Sequence, residues 1–248
     1  MENSQETWWR EWFNEIYLEV YAHRDDPSAV EEVRAALQAA PARPADQILD
    51  LCCGNGRHCR GFQALGYPHV LGIDYSFPLL RHAQAAGALT GYVRADMRRI
   101  PCRDQQFEAV FSFFTSFGYF PTDQENHAVL AEIARVLKPG GWFLMDYLNP
   151  AHVRAHYIPQ TKKTQGSYHI QEQRSLTADQ TRIEKTITLH NTAGQTHTFH
   201  ESVRLYEREA MLAMLSSAGL SVSGILGDFQ GQEYSLAAPR MILHGTRL

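Results

Sequence analysis

From residue 46 to residue 150 the sequence alternates between short apolar runs and helix-forming segments. The apolar runs read QILDLCC, HVLGID, TGYVRAD, FEAVFSFF and WFLMDYL, and each has the length of a buried strand. Strands that are separated by helices need crossover connections, which give a mostly parallel sheet with helices on both faces. The pattern therefore predicts an α/β fold with a doubly wound, mostly parallel sheet. Strands near 220–227 and 240–246 would complete it as a seven-stranded sheet.

The segments on either side of this core predict a helical start and an antiparallel β insertion. A first helix is predicted over about 5–22, and a second begins near Asp26 with an apolar face of Val30, Val33, Leu37 and Ala40. Residues 166–206 alternate in period two around the turn sequence NTAG, which is typical of a hairpin. We expect a single domain with a helical lid over 1–45, a core over 46–150, the insertion over about 157–206 and a closing part over 207–248.

The composition disfavours several classes of function. A net charge of −4 and a pI of about 6.3 provide no basic field for nucleic acid. The N-terminus has no apolar signal core, and no run approaches the ~20 apolar residues of a membrane span. The four cysteines fit a reducing cytoplasm, and no metal is expected because adjacent Cys52 and Cys53 on a strand point to opposite faces. The expected partner is a small molecule, and the oligomeric state stays open.

The sequence CCGNGRH joins the first predicted strand to a helix and indicates a ligand site. Glycine lets backbone N–H groups approach a ligand closely, and the positive end of the helix faces the same place. Dinucleotides and adenosyl cofactors both suit this geometry. Asp50 separates them, because a carboxylate repels a pyrophosphate and attracts an ammonium or sulfonium group. A dinucleotide fingerprint that starts at Gly54 would also need a glycine where this chain has Cys59.

Over about residues 46–150 the chain resembles the class I S-adenosylmethionine-dependent methyltransferases. LDLCCGNG is similar to the first motif of that family, D/E-x-G-x-G-x-G, with Cys52 in place of the first glycine. GIDYS resembles the second motif, RADMRRIP the third, and LKPGGWFLMD the segment before the fifth strand. The resemblance implies a Rossmann-like methyltransferase fold, S-adenosylmethionine as the cofactor and S-adenosylhomocysteine as the product.

The resemblance also implies which residues hold the cofactor. Asp74 would accept hydrogen bonds from the ribose hydroxyls, Asp96 would face the adenine amine, and Met97 would lie over the adenine ring. Arg57 and His58 are candidates either for the cofactor carboxylate or for exposed positions. The complete predicted set is Asp50, Cys52, Gly54, Gly56, Arg57, His58, Asp74, Tyr75, Asp96, Met97 and Phe113.

The methyl acceptor is expected over the end of the fourth strand, at SFFTSFGYF. This stretch resembles the corresponding segment of small-molecule N-methyltransferases, including those that act on amino sugars, in which F-x-S-x-G precedes a His or Tyr. Tyr119 is the candidate for positioning the acceptor, and orientation suits it better than base catalysis because the ordinary pKa of tyrosine is ~10. The other predicted acceptor residues are Tyr17 and Tyr21 in a helical lid, Ser116, and Arg204 and Tyr206 on one face of a hairpin strand.

These observations favour an enzyme that moves a methyl group to a nitrogen or oxygen of a small molecule by in-line displacement. The aromatic stretch, the scattered charge and the absence of an N/D-P-P-Y/F motif disfavour an RNA enzyme. A non-catalytic adenosylmethionine-binding sensor or scaffold would have the same cofactor site, so that alternative stays open. Asp50 and Cys59 disfavour a nicotinamide oxidoreductase.

Overall fold

The computed structural model describes residues 7–22, 26–87 and 91–248. Their strands are β1 (Ile48–Leu51), β2 (Val70–Asp74), β3 (Gly91–Arg94), β4 (Phe107–Ser112), β5 (Leu137–Leu148), β6 (Gln160–Gln165), β7 (Tyr168–Leu176), β8 (Arg182–Asn191), β9 (Thr196–Arg204), β10 (Leu220–Leu226) and β11 (Arg240–Arg247). Their helices are α1 (Trp8–Trp12), α2 (Glu15–Val20), α3 (Asp26–Ala39), α4 (Arg57–Ala64), α5 (Phe77–Ala85), α6 (Asp123–Val136), α7 (Pro150–His156) and α8 (Arg208–Ser217).

The central sheet has seven strands in the order β10-β11-β5-β4-β1-β2-β3. Strands β1 to β5 pair in parallel, whereas β11 runs antiparallel to both β5 and β10. The winding direction reverses between β1 and β4, where Asp50 lies opposite Phe111. Such a reversal opens a crevice at the carboxyl ends of the strands, which is the usual ligand site of doubly wound sheets. The predicted fold class is confirmed.

Helices cover both faces of this sheet and close two apolar clusters. On one face Val33 of α3 and Phe62 of α4 pack against the sheet, and on the other face Leu130 of α6 and Leu215 of α8 do so. Helix α6 begins with a capping box, which the sequence Thr122-x-x-Glu125 predicts and in which Thr122 and Glu125 satisfy each other's backbone N–H groups.

The face that α3 buries differs from the predicted one. Its buried positions are Ala29, Val33 and Ala36, while Val30 and Leu37 are half-buried. The small side chains face α4, where a Cβ on Gly61 would lie 3.1 Å from the carbonyl oxygen of Ala29. Helices α3 and α4 pack so closely here that alanine, rather than the larger aliphatic residues, occupies the contact.

The single helix predicted over 5–22 is wrong, because the chain forms two short helices there. Helix α1 ends at Trp12, and the side chain of Asn14 accepts hydrogen bonds from the N–H groups of Ile16 (2.8 Å) and Tyr17 (3.3 Å). Asparagine competes with helical hydrogen bonding in this way and starts a new helix as its N-cap. The predicted start at residue 5 lies outside the described residues.

The predicted antiparallel insertion is a separate four-stranded sheet in the order β6-β7-β8-β9. The predicted hairpin forms its last two strands, with Gly194 in the turn at a φ of 80°. Strands β6 and β7 extend that hairpin on its other side. The buried face of this sheet carries Ile187 and Leu189 and contacts Trp12 of α1. The N-terminal helices are therefore held between the two sheets.

None of the helices within the described ranges combines the length and the apolar character needed to cross a membrane.

Candidate active site

A cavity of about 780 Å³ opens at the carboxyl ends of β1, β2 and β4, where the winding reverses. Its volume lies within the roughly 300–1,000 Å³ that is typical of small-molecule sites. Most of the predicted site residues line it: Tyr17, Tyr21, Cys52, Gly54, Arg57, His58, Asp74, Tyr75, Asp96, Met97, Phe113, Ser116 and Tyr119. The structure does not bring Asp50, Gly56, Arg204 and Tyr206 to the cavity surface.

The turn after β1 forms the floor of the cavity and is fixed by Asp74. One carboxylate oxygen of Asp74 accepts a hydrogen bond from the N–H of Gly54 at 2.8 Å, and the other accepts one from the N–H of Ser76 at 2.7 Å. Burial raises the pKa of Asp74, and these backbone donors oppose that rise. The carboxylate thus ties the ends of β1 and β2 together while facing the cavity.

Gly56 has a packing role rather than a ligand contact, which corrects its predicted place in the cofactor site. Its φ is 76°, and a Cβ at this position would overlap the hydroxyl oxygen of Tyr92. The residue therefore lets α4 begin tightly against β3 and α5. Gly54 has a φ of 56°, and a Cβ there would meet, among the described residues, only Leu79 within 4 Å, at 3.8 Å. The bare backbone of Gly54 faces open space in the cavity.

Asp50 lies beneath the turn instead of facing the ligand, which corrects a second prediction. Asp50 is 1% exposed, and one oxygen of its carboxylate accepts a hydrogen bond from the Cys59 thiol at 3.2 Å. Burial raises the pKa of Asp50 to about 7, although the Cys59 bond and the Arg57 charge oppose the rise. Any effect of Asp50 on a cationic ligand therefore acts through the turn and not by direct contact.

Asp96 and Met97 form the wall next to Asp74. The guanidinium of Arg98 binds Asp96 at 2.6 Å. Burial alone would raise the pKa of Asp96, but the hydrogen bonds and charge of Arg98 lower it below its ordinary value. The sulfur of Met97 lies 3.5 Å from the sulfur of Cys52 across the cavity floor. This wall combines an ionised hydrogen-bond acceptor with a flat apolar surface.

Arg57 and His58, in the first turn of α4, are buried and converge on Glu32 of α3. The Arg57 Nη2 atom lies 3.0 Å and the His58 Nε2 atom 2.8 Å from the same carboxylate oxygen. The His58 ring stacks on Phe113 at 3.9 Å, and the Arg57 guanidinium lies 4.4 Å from the ring centroid of Phe114. Of the two alternatives left open for this pair, the exposed position is wrong.

The segment after β4 forms the wall opposite Asp74. Phe114 and Thr115 have φ values of 57° and 53°, which is rare for residues other than glycine. The Ser116 hydroxyl donates to the carbonyl oxygen of Phe113 at 2.9 Å. The Tyr119 ring packs edge-on against Trp8 at 4.8 Å. The segment therefore carries two hydroxyl groups into a cavity wall that is otherwise aromatic.

Helix α2 covers part of the cavity and is anchored to the antiparallel sheet. Tyr17 and Tyr21 pack on each other at 4.8 Å, and Lys185 of β8 donates to the Tyr21 hydroxyl at 2.9 Å. Lys185 also pairs with Glu201 at 2.7 Å, and Glu201 accepts from Trp12 Nε1 at 2.6 Å. Burial, followed by the charge of Glu201, raises the pKa of Tyr21 to about 12, so this hydroxyl keeps its proton.

Arg204 and Tyr206 lie close together, as predicted, but on the side of the Tyr119 segment that faces away from the cavity. The Arg204 guanidinium and the Tyr206 hydroxyl both bind Asp123 at the start of α6, at 3.1 and 2.6 Å. The backbone N–H of Arg204 donates to the carbonyl oxygen of Gly118 at 2.8 Å. Both residues therefore brace the segment from outside the cavity, and their predicted place in the acceptor site is wrong.

Comparison with known proteins connects this geometry with a family. Residues 48–141 match the family model described as a methyltransferase domain. Strands β1 to β4, and with them the turns of the cavity floor, fall inside that match, which ends within β5. Residues 48–141 form a class I methyltransferase domain. The predicted cofactor, S-adenosylmethionine, is the cofactor of this family, and that prediction is confirmed.

Similar proteins share the fold beyond the matched segment. A dTDP-3-amino-3,4,6-trideoxy-alpha-D-glucopyranose N,N-dimethyltransferase of Streptomyces venezuelae is 26% identical over 205 residues, which cover 79% of this chain and 84% of that one. The CcbJ methyltransferase of Streptomyces caelestis superposes with a TM-score of 0.77 at 20% identity, over 89% of this chain and 90% of that one. CalS10, a SAM-bound amino pentose methyltransferase of Micromonospora echinaspora, superposes with a TM-score of 0.69 at 21% identity, over 94% and 97%.

Sequence reasoning missed part of the cavity lining. Trp9 and Phe13 contribute aromatic surface from the N-terminal helices, and Glu32 holds the Arg57–His58 pair from α3. The signal for the first two was the irregular apolar spacing before Asn14, which marks a helix break. No local signal pointed to Glu32, because α3 reaches the cavity only through its packing on α4.

Proposed function

We propose that this chain is a methyltransferase that moves a methyl group from S-adenosylmethionine to a nitrogen or oxygen of a small-molecule acceptor. The observation that carries the proposal is the continuity of one cavity. The same space is lined by Asp74 and Asp96 at one wall and by Ser116 and Tyr119 at the other. A donor bound at the first wall would thus share one cavity with an acceptor at the second.

The residues of the first wall fit the adenosyl cofactor chemically. Two carboxylates, Asp74 and Asp96, provide acceptors for ribose hydroxyls and for the adenine amine, while Met97 offers an apolar surface to the adenine ring. The open backbone at Gly54 accommodates a close ligand, and this wall carries acidic groups that would repel a pyrophosphate. We assign the amino-acid tail of the cofactor to the first turn of α4, beside Arg57 and His58.

The bound cofactor supplies an activated methyl group on a sulfonium, so its leaving group is neutral. The chain's own residues would align the acceptor, exclude water and receive a proton when the acceptor carries one. Tyr119, which lines the cavity, would orient the acceptor through its hydroxyl, and Tyr17 and Tyr21 would cover the acceptor. Alignment of this kind can reach effective concentrations of about 10⁵–10⁸ M.

A small acceptor is supported by the shape of the cavity and by the relatives. Aromatic residues of α1 and α2 line the acceptor wall and narrow the space beside it. The relatives that act on amino sugars make an amine a natural first class to test.

We extend the proposal to the domain organisation and the location of the protein. The chain would form a single domain with the predicted lid over 1–45, and the four free cysteines support the predicted reducing, cytoplasmic location.

The test is turnover on a panel of amino sugars, aryl amines, phenols and alcohols, measured as S-adenosylhomocysteine released. We expect at least one acceptor to be methylated, and Tyr119→Phe to lower kcat/KM for it by about tenfold or more. Tyr168→Phe, which removes a hydroxyl outside the cavity, is the matched control and should leave kcat/KM unchanged. Cofactor binding without turnover across the panel would contradict the proposal and favour a non-catalytic sensor or scaffold.

A further inference from the structure

Two consecutive residues after β4 adopt a backbone conformation that their side chains disfavour. Phe114 and Thr115 have φ values of 57° and 53°, in the left-handed region that a bulky or β-branched residue seldom enters. Such a conformation persists only where the surroundings hold it, and it is found most often at functional sites. We call residues 114–115 the elbow.

A buried carboxylate and an arginine hold the elbow. Asp146, at 1% exposure on β5, accepts a hydrogen bond from the N–H of Phe114 through its carboxylate at 2.8 Å. The carbonyl oxygen of Asp146 accepts another from the N–H of Thr115 at 2.9 Å. Arg240 donates through Nε to the Asp146 carboxylate at 2.7 Å and through Nη2 to the Thr115 hydroxyl at 2.8 Å. Both residues of the elbow are thus bound to one ion pair.

The topology explains why Arg240 can reach this place. Strand β11 runs antiparallel to β5, so its first residue, Arg240, lies opposite Leu148 at the carboxyl end of the parallel strands. Neither Asp146 nor Arg240 lines the cavity. The elbow, by contrast, directs the Phe114 ring onto Arg57 and leads directly into Ser116 and Tyr119.

We propose that Asp146 and Arg240 are positioning residues that hold the elbow so that Ser116 and Tyr119 face the transferred methyl group. The proposal rests on the proposed function, because it assigns the elbow to the acceptor wall. The competing explanation is an ion pair that only stabilises the junction of β5 and β11. The two explanations differ in where the molecule loosens when the pair is broken.

The experiment follows hydrogen–deuterium exchange with bound S-adenosylhomocysteine in variants of the pair. Arg240→Met removes both of its bonds, Arg240→Lys keeps the charge, and Thr115→Val removes only the link between Arg240 and the elbow. The matched control is Arg247→Met on the same strand, whose side chain binds the Leu137 carbonyl at the opposite end of the sheet. Asp146→Asn is a further variant, and the Arg240 and Thr115 variants suffice if it does not fold.

We expect Arg240→Met to speed exchange in residues 113–120 by tenfold or more, and Thr115→Val to speed it by about threefold. Exchange in residues 142–148 should stay within twofold, Arg240→Lys should restore most of the protection, and Arg247→Met should leave residues 113–120 unchanged. With any acceptor that the wild type methylates, kcat should fall about tenfold in Arg240→Met, while S-adenosylhomocysteine affinity stays within threefold.

Unchanged exchange in residues 113–120 would overturn the proposal, and so would an equal rise in residues 142–148 or in the Arg247→Met control. An undiminished kcat in Arg240→Met would also overturn it. Failure of the proposed function is a separate result, since it would show as a wild type that turns over no acceptor or does not bind S-adenosylhomocysteine.

Discussion

The floor and the roof of the cavity are built in different ways. The floor consists of turns at strand ends, and its key contact joins Gly54, in the turn after β1, to Asp74 at the end of the neighbouring strand β2. The roof consists of aromatic side chains on α1 and α2, held by contacts across the whole chain, such as that of Trp12 with Glu201. Under the proposed function, the backbone geometry of the floor would hold the cofactor, whereas long-range packing of side chains would shape the space for the acceptor.

Under the proposed function, this difference would let a domain keep its cofactor while its acceptor changes. A floor made from main chain tolerates few substitutions, because a side chain at Gly56 would collide with Tyr92. A roof made from side chains can change its shape by single substitutions, provided that its anchors on the antiparallel sheet remain. Substitutions in the floor and in the roof test this difference separately.

The largest expected effect is on the floor, where two glycines of one turn should respond differently. Gly56→Ala places a Cβ against the Tyr92 hydroxyl at a φ of 76°, and we expect a loss of about 2–4 kcal/mol in the free energy of unfolding. Gly54→Ala meets only the cost of its positive φ, about 1–2 kcal/mol. Urea denaturation measures both. Equal losses would contradict the packing role of Gly56.

The next effect concerns the buried carboxyl beneath the floor. The pKa of Asp50 is raised from 3.8 to about 7 in the folded chain. At pH values between these two, the folded chain therefore holds a proton on Asp50 that the unfolded chain has released. The free energy of unfolding should therefore fall as pH rises through this range, by about 1.4 kcal/mol for each pH unit at most.

Urea denaturation at pH 5 and pH 8 checks this dependence against Asp50→Asn. We expect the wild type to lose about 2–3 kcal/mol more than the variant between these two values. Parallel losses in the two proteins would mean that Asp50 is ionised throughout and lies in a more polar place than the structure gives it.

The smallest effect is expected in the roof. Glu201→Gln keeps an acceptor for Trp12 but removes the charge that faces Lys185, and both side chains are largely buried. We expect the free energy of unfolding to fall by about 1 kcal/mol. The affinity for S-adenosylhomocysteine, measured by calorimetry, should stay within threefold. A tenfold weaker affinity would show that the roof holds the cofactor, and it would contradict the different roles given to the floor and the roof.

The same difference decided what could be predicted from the sequence. Strand alternation, the glycine turn and the capping box at Thr122 depend on residues close together in the chain, and the structure has each of them. The direction of Asp50 was predicted incorrectly because it depends on Cys59, which approaches from the following helix. The residue pattern of β1 does not indicate the contact between Cys59 and Asp50.

Errors in the acceptor wall have the same physical origin. Period-two alternation correctly placed Arg204 and Tyr206 together, and both bind Asp123. The surroundings of the face that carries Arg204 and Tyr206 depend on how the antiparallel sheet packs against α6. That packing is a long-range property. Trp9 and Phe13 were missed because a continuous helix was predicted across the break at Asn14.

The most direct test of the central claim is calorimetry of the wild type and Asp74→Ala with S-adenosylhomocysteine and with NAD. We predict that the wild type binds S-adenosylhomocysteine and not NAD. Asp74→Ala should bind S-adenosylhomocysteine about 10–100-fold more weakly, because hydrogen bonds to a charged group are worth about 1.5–3 kcal/mol. Tight binding of NAD, or an affinity that Asp74→Ala leaves unchanged, would contradict the claim.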